Sequence, residues 1–228
     1  TATVPAVEQA VKAGIPVVTV DNKLGTDVYA EHIATDHAAA AATAANEMAK
    51  QWKAKGIDPS GKKVAVISSD SSSPVNQARC KGFADEIKKQ VPGISVLPTR
   101  FCNGDMQKAL DETDNLLMAN KDLIGIFGDN NLMGDGIAKS IEQNKAGDKV
   151  VSYAFDSDDT EIQAIQNGHL TGIIVQDPYG MGYNGVLAVV SAAEGKSVEH
   201  DVVSKTTLVT KDNMSDPAVQ KLLYPDKN

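Results

Sequence analysis

The sequence predicts an α/β fold in which short buried strands alternate with helices around parallel sheets. Six short runs of apolar and β-branched residues each stop at an aspartate, and such runs are typical of strands buried in a parallel sheet. Segments with helical apolar spacing lie between most of these runs, and this alternation indicates βαβ units. No repeat of the shorter periods typical of solenoids is visible. The six runs end at Asp21, Asp36, Asp70, Asp129, Asp156 and Asp177.

Composition and charge narrow the classes of function. The chain has 228 residues, of which 42% are hydrophobic and 23% charged, as is usual for one large or two small globular domains. Its net charge of -8 argues against a nucleic-acid partner and against an anionic membrane surface, because binding phosphates needs a basic face. No apolar run reaches the roughly eighteen residues of a membrane-spanning helix. The opening TATVPAVEQA has no basic region, so we expect any signal peptide to have been removed.

The first elements of the chain are predicted to be a helix, two strands and a second, longer helix. Val4, Val7 and Val11 share one face of the first helix, which Gly14 ends. The second helix is rich in alanine, which favours close packing between helices. The expected bounds are helix 4–13, strand 16–20, strand 31–35 and helix 38–53, followed by a turn-rich connection at 55–62.

The rest of the chain continues the alternation, with polar, glycine or proline turns between the elements. Gly168 is expected to end one helix in the left-handed conformation. The expected strands are 63–68, 94–101, 123–127, 149–155, 171–175 and 204–210. The expected helices are 75–90, 106–120, 132–144, 159–167 and 179–194, with a short last helix at SDPAVQKLL.

An aspartate at the end of a strand has two interpretations. Ligands of open α/β sheets bind beyond the carboxyl ends of the strands, where a carboxylate can hold a polar group. Aspartate is also a preferred N-cap of the helix that follows. The stretch VVSYAFDSDD, around Asp156, is the clearest of the six strand ends and the first candidate for a ligand site.

Several longer segments carry a resemblance to a known family. The chain resembles the periplasmic sugar-binding proteins of the ribose-binding type, which are type I periplasmic binding proteins and serve as solute receptors of ABC transporters. The matching segments span almost the whole chain in the family's order and are specific when taken together. They are AGIPVVTVDN, HIATDH, SPVNQARCKGF, GIFGDNNLMGDGIA, YAFDSDDTEIQAIQNGHLTGIIVQDPYGMG and LVTKDNM.

The resemblance implies two doubly wound parallel-sheet lobes joined by three crossovers, with a sugar held in the cleft between them. It assigns 1–34 and 177–205 to the first lobe and 36–176 and 206–228 to the second lobe. The first lobe is then incomplete, because domains of this kind commonly hold about 100–150 residues. We therefore expect an absent N-terminal segment, and its presence as a separate chain is an open alternative.

The resemblance also implies a set of ligand-binding residues. Carboxylates and amides can engage adjacent sugar hydroxyls, and an arginine donates to two oxygens at once. For the strand-end residues Asp36, Asp70 and Asp177 we favour capping or hinge hydrogen bonds over ligand contact, and Asp70 and Asp129 are expected as caps beside the site. The implied ligand-binding residues are Asp21, Thr35, Arg79, Asn130, Asp156 and Gln176, with Asn76 and Asp129 as additional candidates.

Two positions depart from the family's pattern. Asn22 stands where ribose receptors have an arginine, and Asn103-Gly104-Asp105 replaces an aromatic wall. A different or larger polyol is therefore an open alternative to ribose.

The sequence also bears on disulfide formation, metal binding and catalysis. Cys80 and Cys102 are either a disulfide or two free thiols, and the sequence leaves both open. We expect no cofactor and no metal; His32 and His37 flank a strand end, but a surface or crossover role is favoured over metal binding. No catalytic motif is present, so we do not expect an enzyme.

The expected function is to bind a small sugar or polyol and deliver it to an ABC transporter permease. The expected location is periplasmic or extracellular, and a lipid anchor stays open. One alternative is the effector-binding core of a lac-type transcriptional repressor, which the acidic charge disfavours. A second is an α/β enzyme acting on a sugar, which the absence of catalytic motifs disfavours.

Overall fold

A computed structural model describes residues 3–225 of the chain. It contains helices and strands in the alternation that the sequence predicts. The helices are α1 (Val4–Lys12), α2 (His37–Ala54), α3 (Pro74–Gln90), α4 (Met106–Ala119), α5 (Asn131–Gln143), α6 (Asp159–Asn167), α7 (Pro178–Ala193) and α8 (Pro217–Leu223). The strands are β1 (Val18–Val20), β2 (Glu31–Thr35), β3 (Lys63–Ser68), β4 (Ser95–Val96), β5 (Arg100–Phe101), β6 (Leu123–Gly128), β7 (Val151–Phe155), β8 (Gly172–Val175), β9 (Asp201–Ser204) and β10 (Thr207–Thr210).

These elements form two compact units. Unit 1 consists of residues 1–36 and 176–206, and unit 2 of residues 37–175 and 207–228. The boundaries expected from the sequence lie within about two residues of these, although the chain ends fall outside the described residues. The assignment of these units to the lobes of a periplasmic binding protein stays a prediction.

Unit 1 is built on a three-stranded sheet of order β1-β2-β9, in which both strand pairs are parallel. Helix α7 packs on β1 and β2 through its small residue Gly185, where a Cβ atom would lie 3.1 Å from a methyl group of Val20. The buried apolar residues of this unit are Tyr29, Ile33, Met181 and Ala188.

Unit 2 is built on a seven-stranded sheet. Its order is β10-β8-β7-β6-β3-β4, and β5 pairs with the end of β3. All pairs are parallel except β10 with β8, which is antiparallel. Alternate strand residues point to opposite faces and feed two separate apolar clusters. Helices α2 and α3 cover one face, and α4, α5, α6 and α8 cover the other, so the unit is doubly wound as the sequence predicts.

Two predicted strands differ from the structure. The run 94–101 splits into β4 and β5 around Pro98, whose ring nitrogen has no hydrogen to donate to a ladder. The run 204–210 is shorter than expected, because only β10 forms there. The sequence prediction also missed β9, a four-residue strand that lies immediately before it and belongs to unit 1.

Candidate functional site

The carboxyl end of β7 places a carboxylate beside a guanidinium group in unit 2. Asp156 follows the last residue of β7, and its Oδ2 atom lies 3.6 Å from Nη1 of Arg79 on α3. The side chain of Arg79 is only 5% exposed, whereas that of Asp156 is 32% exposed. The carboxylate is thus the member of the pair that solvent, or a ligand, can reach.

Arg79 is fixed by further contacts within unit 2. Its Nη1 donates a hydrogen bond to the backbone oxygen of Asp129 at 2.8 Å, and its Nε donates to Nδ1 of His37 at 3.3 Å. The guanidinium carbon lies 3.8 Å from the centre of the Phe155 ring, which is a cation–π contact. A buried cation needs such partners because it has lost its water, and together they orient the guanidinium beside Asp156.

Asp129 differs from the prediction, in which it was an additional ligand contact and a helix cap. The residue is fully buried. Its Oδ2 accepts a hydrogen bond from Oγ of Ser68 at 2.5 Å, and its Oδ1 accepts one from the backbone nitrogen of Ser69 at 2.9 Å. Burial raises the pKa of Asp129 to about 6, although the Ser68 hydroxyl opposes that shift. The side chain therefore joins the ends of β3 and β6 and is not presented to a ligand.

Asn130 is the N-cap of α5, and its Oδ1 accepts a hydrogen bond from the backbone nitrogen of Met133 at 3.1 Å. The capping bond uses its oxygen, and within the described residues its amide nitrogen has no such partner. Asn76 lies half-buried in the first turn of α3. Both residues stay ligand-binding predictions.

Unit 1 carries a second set of predicted site residues at the ends of its strands. Asp21 follows β1, and its backbone nitrogen donates to the oxygen of Ile33 at 2.8 Å. Thr35 ends β2, and its hydroxyl donates to Oε1 of Gln176 at 2.8 Å. Asn22, the position that departs from the family's pattern, donates from its amide to Oδ2 of Asp21 at 2.8 Å.

Asp21 and Asp156 share an uncommon backbone conformation. Their φ angles are +67° and +74°, in the left-handed region that side chains other than glycine rarely adopt. Strained backbone of this kind persists where the surrounding structure fixes it, and it is frequent at ligand-binding sites. Two of the residues that the resemblance implies as ligand contacts are therefore also set apart by their geometry.

Capping or hinge hydrogen bonds were predicted for Asp36, which directly precedes α2, and for Asp70 and Asp177, whose outcomes differ. Asp177 is the N-cap of α7 and accepts from the backbone nitrogen of Gly180 at 2.7 Å, which confirms the prediction. Asp70 instead closes a turn by accepting from the backbone nitrogen of Ser72 at 2.7 Å, and Ser73 caps α3. The caps of α5 and α6 are Asn130 and Asp158.

The two cysteines are free thiols, so the disulfide that the sequence left open is not formed. The reason is that they pack against different faces of the seven-stranded sheet, Cys80 with the α2–α3 cluster and Cys102 with the other. Burial raises the pKa of Cys80 to about 12 and that of Cys102 to about 11, so both thiols hold their protons near neutral pH.

The histidines do not form a metal site within residues 3–225. His32 contacts the Thr19 hydroxyl at 2.8 Å in unit 1, whereas His37 accepts from Arg79 in unit 2. No group of three or more histidine, cysteine or acidic side chains in that range has metal-binding geometry. Over the same residues, no helix is both long and apolar enough to cross a bilayer.

Sequence reasoning missed three residues that support the Arg79–Asp156 pair, namely Phe155, His37 and Ser68. Phe155 immediately precedes Asp156, so an aromatic residue at a strand end next to a predicted carboxylate was the available signal. The roles of His37 and Ser68 depend on contacts across 42 and 61 residues of sequence, which no local pattern reveals.

A strained aspartate at a strand end, beside a buried arginine in a doubly wound unit, is a candidate site for binding a polar ligand. The chain belongs to the periplasmic binding protein domain family, whose model matches residues 1–197. The family and the similar proteins named below are solute-binding proteins and not enzymes.

Two individual relatives are named for binding a sugar. The ribose import binding protein of Haemophilus influenzae is 27% identical over 185 residues, which are 81% of this chain and 60% of the relative. The D-allose-binding periplasmic protein of Escherichia coli is 26% identical over 89% of this chain and 66% of its own. The chain thus spans about three fifths to two thirds of the length of these relatives.

The chain is also similar to solved structures of solute-binding proteins with bound sugars. A carbohydrate transporter solute-binding protein from Agrobacterium radiobacter, in complex with D-arabinose, has a TM-score of 0.87 and 31% identity, covering 96% of this chain and 74% of that one. An ABC transporter solute-binding protein from Agrobacterium vitis with bound D-fucose has a TM-score of 0.85 and 32% identity, covering 97% and 75%.

Proposed function

We propose that the chain binds a small sugar or polyol as part of a receptor for an ABC transporter permease. The observation that carries the proposal is the Arg79–Asp156 pair at the end of β7, with Asp156 held at φ +74° and partly exposed. A carboxylate in this position accepts hydrogen bonds from two adjacent hydroxyls of a sugar. The membership in a family of periplasmic solute-binding proteins supports this function.

Each partner of Asp156 has a distinct role in this proposal. Arg79 orients the carboxylate through the 3.6 Å ion pair, and charge-assisted hydrogen bonds to hydroxyls are stronger than neutral ones. Phe155 is fully buried, and its ring supports the Arg79 guanidinium from one side. Asn130 and Asn76 extend the polar set of unit 2, and Asp21, Thr35 and Gln176 form that of unit 1. We include all of these residues in the proposed ligand-binding set.

Calorimetric titration with a panel of sugars tests the proposal. The panel should hold D-ribose, D-allose, D-arabinose and D-fucose, the sugars named for the similar proteins. We expect at least one sugar to bind, and Asp156→Asn to weaken that binding about tenfold or more through loss of the charge. The matched control is Asp159→Asn, which removes an exposed carboxylate three residues further on. Unchanged affinity in Asp156→Asn would show that the site is assigned wrongly.

The surface of unit 1 supports a further part of the proposal. In this part, an additional polypeptide segment covers the free edge of β1. Within the described residues β1 pairs only with β2, and an apolar groove beside it is lined by Val18, Val20, Gly182, Gly185, Val186 and Val189. We propose that a segment of the kind the longer relatives contain fills this groove, in the same chain or as a separate one. Native mass spectrometry of protein isolated from its source tests this. A stable species with the mass of these 228 residues alone would contradict it.

Location and delivery belong to the same proposal. We propose a periplasmic or extracellular location, with or without a lipid anchor, and docking of the ligand-bound form on the permease. Stimulation of the ATPase of the reconstituted transporter by the sugar-loaded protein is the expected result, and stimulation by sugar alone would contradict it.

A further inference from the structure

A buried pair of carboxyl groups lies between α5 and α6, one turn away from the residues of the proposed ligand set. Glu161, in the first turn of α6, has no exposed surface, and neither of its carboxyl oxygens has a hydrogen-bond partner. Asp135 on α5 is 9% exposed, and its Oδ1 likewise has no partner. Buried polar groups in native proteins are nearly always paired, so three buried carboxyl oxygens without a partner call for a physical explanation.

The space for Glu161 is created by a glycine. A Cβ atom on Gly134 of α5 would lie 2.1 Å from Oε1 of Glu161 and 2.7 Å from Cβ of Ala154 on β7. Any side chain at position 134 would therefore exclude the carboxyl. A glutamate at this helix position commonly reaches back to the backbone N–H of the N-cap residue, but here it enters the notch that Gly134 leaves open. The notch thus holds a group that ordinarily carries a charge.

The surrounding charges oppose ionisation of both groups. Burial raises the pKa of Glu161 well above its ordinary value, and the nearby carboxylates Asp158, Asp135 and Asp156 raise it further. Burial also raises the pKa of Asp135 to about 7, with an added contribution from Asp158, while Lys139 on the next turn of α5 lowers it. No cation other than Lys139 is placed to compensate either group in the described part of the chain.

The pair is connected to the proposed ligand set by short covalent and hydrogen-bonded paths. Asp158, two residues after Asp156, caps α6 by accepting from the backbone nitrogen of Glu161 at 3.0 Å. Its other oxygen accepts from the Asn131 side chain at 3.0 Å, next to Asn130 at the start of α5. These bonds form a path along which a displacement of the first turn of α6 would reach Asp156 and the start of α5.

We propose that Glu161 and Asp135 form a pH-sensitive contact that keeps α6 against α5 while Glu161 is protonated and releases it when Glu161 ionises. A protonated Glu161 fits the Gly134 notch without a buried charge. After loss of its proton to solvent, the carboxylate leaves the notch for water, and the first turn of α6 moves with it. At acid pH this contact therefore keeps the first turn of α6 packed against α5 in unit 2.

The sign of the effect on stability follows from proton binding. A carboxyl whose pKa is higher in the folded than in the unfolded chain binds its proton more tightly when folded. The stabilisation is present below the unfolded pKa of about 4.3 and is lost as the pH rises through the folded pKa. For Asp135 that range ends near pH 7. Asp129 contributes in the same direction with a folded pKa of about 6, so only variants can isolate the pair.

Thermal unfolding of the full chain without sugar, between about pH 5 and about pH 8, tests the proposal. We expect the melting temperature of the unaltered protein to fall by about 5 °C or more over this range. Glu161→Gln keeps the shape without the charge, so its profile should be flatter and its melting temperature higher at the alkaline end. Asp159→Asn, which removes an exposed carboxylate from the same turn, should keep the original profile. Equal slopes in all three proteins would overturn the proposal.

A second measurement applies if Glu161→Gln does not fold. Carbon-13 NMR of the unaltered protein follows each glutamate carboxyl carbon, assigned through the backbone. One glutamate should titrate well above all the others, and it should be Glu161. An ordinary titration of Glu161 would overturn the proposal.

Regulation of ligand binding rests on the proposed function and is measured separately. Sugar affinity should fall from about pH 5 to about pH 8 in the unaltered protein, and this fall should be smaller in Glu161→Gln. Equal pH dependence of affinity in both proteins would overturn regulation by the pair. Absence of binding by any sugar at any pH would instead count against the proposed function, and the unfolding profiles would still decide the pH-sensitive contact.

Discussion

Asp156 combines an unfavourable backbone conformation with a carboxylate held beside Arg79. A left-handed conformation costs a residue with a Cβ atom about 1 kcal/mol relative to glycine, for which the region is open. The surrounding strand ends fix this conformation, since the backbone nitrogen of Asp156 donates to the oxygen of Ile174 at 2.8 Å. The side chain is therefore aimed by backbone geometry as well as by its ion pair.

Two substitutions of Asp156 separate the backbone from the side chain. Asp156→Gly and Asp156→Ala both remove the carboxylate, but only alanine keeps a Cβ atom at φ +74°. We expect Asp156→Gly to be more stable than Asp156→Ala by about 1 kcal/mol in urea unfolding, and both to lose sugar affinity equally. Equal stability of the two variants would show that the left-handed conformation is not strained.

Arg79 is predicted to tolerate replacement by lysine poorly, although lysine keeps the charge. An ammonium group cannot contact Asp156, the Asp129 oxygen and the Phe155 ring in the way a planar guanidinium does. We expect Arg79→Lys to lower sugar affinity about tenfold or more, measured by calorimetry. Arg100, on β5, is the chain's other arginine, and its side chain is 48% exposed. Arg100→Lys is the matched control, and an equal loss in both variants would argue against a specific role for Arg79.

At the residue scale, sequence reasoning placed side chains at the correct strand ends but could not assign every role. Asp129 and Asn130 are adjacent, and both are typical of a helix start. The structure buries the first with Ser68 and makes the second the cap of α5. The sequence could not decide between a Cys80–Cys102 disulfide and two free thiols, because only the path of the chain shows which face of the sheet each thiol joins.

Helices α2 and α3 cross so closely that a glycine is required at the contact. A Cβ atom on Gly82 of α3 would lie 2.4 Å from the backbone oxygen and 2.7 Å from Cα of Ala38 in α2. The buried residues of α2 are mostly alanines, which lets the helix approach the sheet and α3. The same crossing positions His37, at the start of α2, against Arg79, so packing and site geometry are linked.

A single methyl group at this crossing should therefore destabilise unit 2. We expect Gly82→Ala to lower the free energy of unfolding by about 1–3 kcal/mol through overpacking, against a gain of about 1 kcal/mol from helix propensity. Gly182→Ala in α7 is the matched control, since nothing lies within 4 Å of its added Cβ atom. That variant should be neutral or slightly more stable in urea unfolding. A neutral Gly82→Ala would mean that α2 and α3 can separate at no cost.

Elements with strong periodicity were predictable, and short ones were not. The alanine-rich helix and the strands β3, β6 and β7 follow from apolar pattern alone, because each is long or fully buried. β9 has only four residues, with alternating exposed and half-buried positions, so its sequence carries no strong strand signal. It is a strand because it pairs with β2. Pro98 was visible in the sequence, yet the strands on both sides of it keep the same neighbour, β3.

The two units differ in how much apolar surface each buries. Both large apolar clusters belong to unit 2, where β3, β6 and β7 are covered on both faces. Unit 1 has one packed helix, α7, on a three-stranded sheet, and α1 has no buried residue. Several apolar side chains of α7 that follow helical spacing are exposed. They are Tyr179, Tyr183, Val186, Leu187 and Val190. Because buried apolar area is the main source of stability, the local stability of unit 1 should be lower.

Hydrogen–deuterium exchange of the intact chain measures this difference directly. Amides of β6 and β7 should exchange slowly, since their side chains are almost fully buried and their ladders lie inside a seven-stranded sheet. Amides of α1 and β1 should exchange much faster, because no residue of α1 is fully buried and β1 is an edge strand in the described sheet. The matched comparison is β2 with β7, two five-residue strands that each lie between two neighbours in their sheets. Equal protection of β2 and β7 would mean that unit 1 draws stability from a source outside its own core. Faster exchange of β2 would establish unit 1 as the less stable unit.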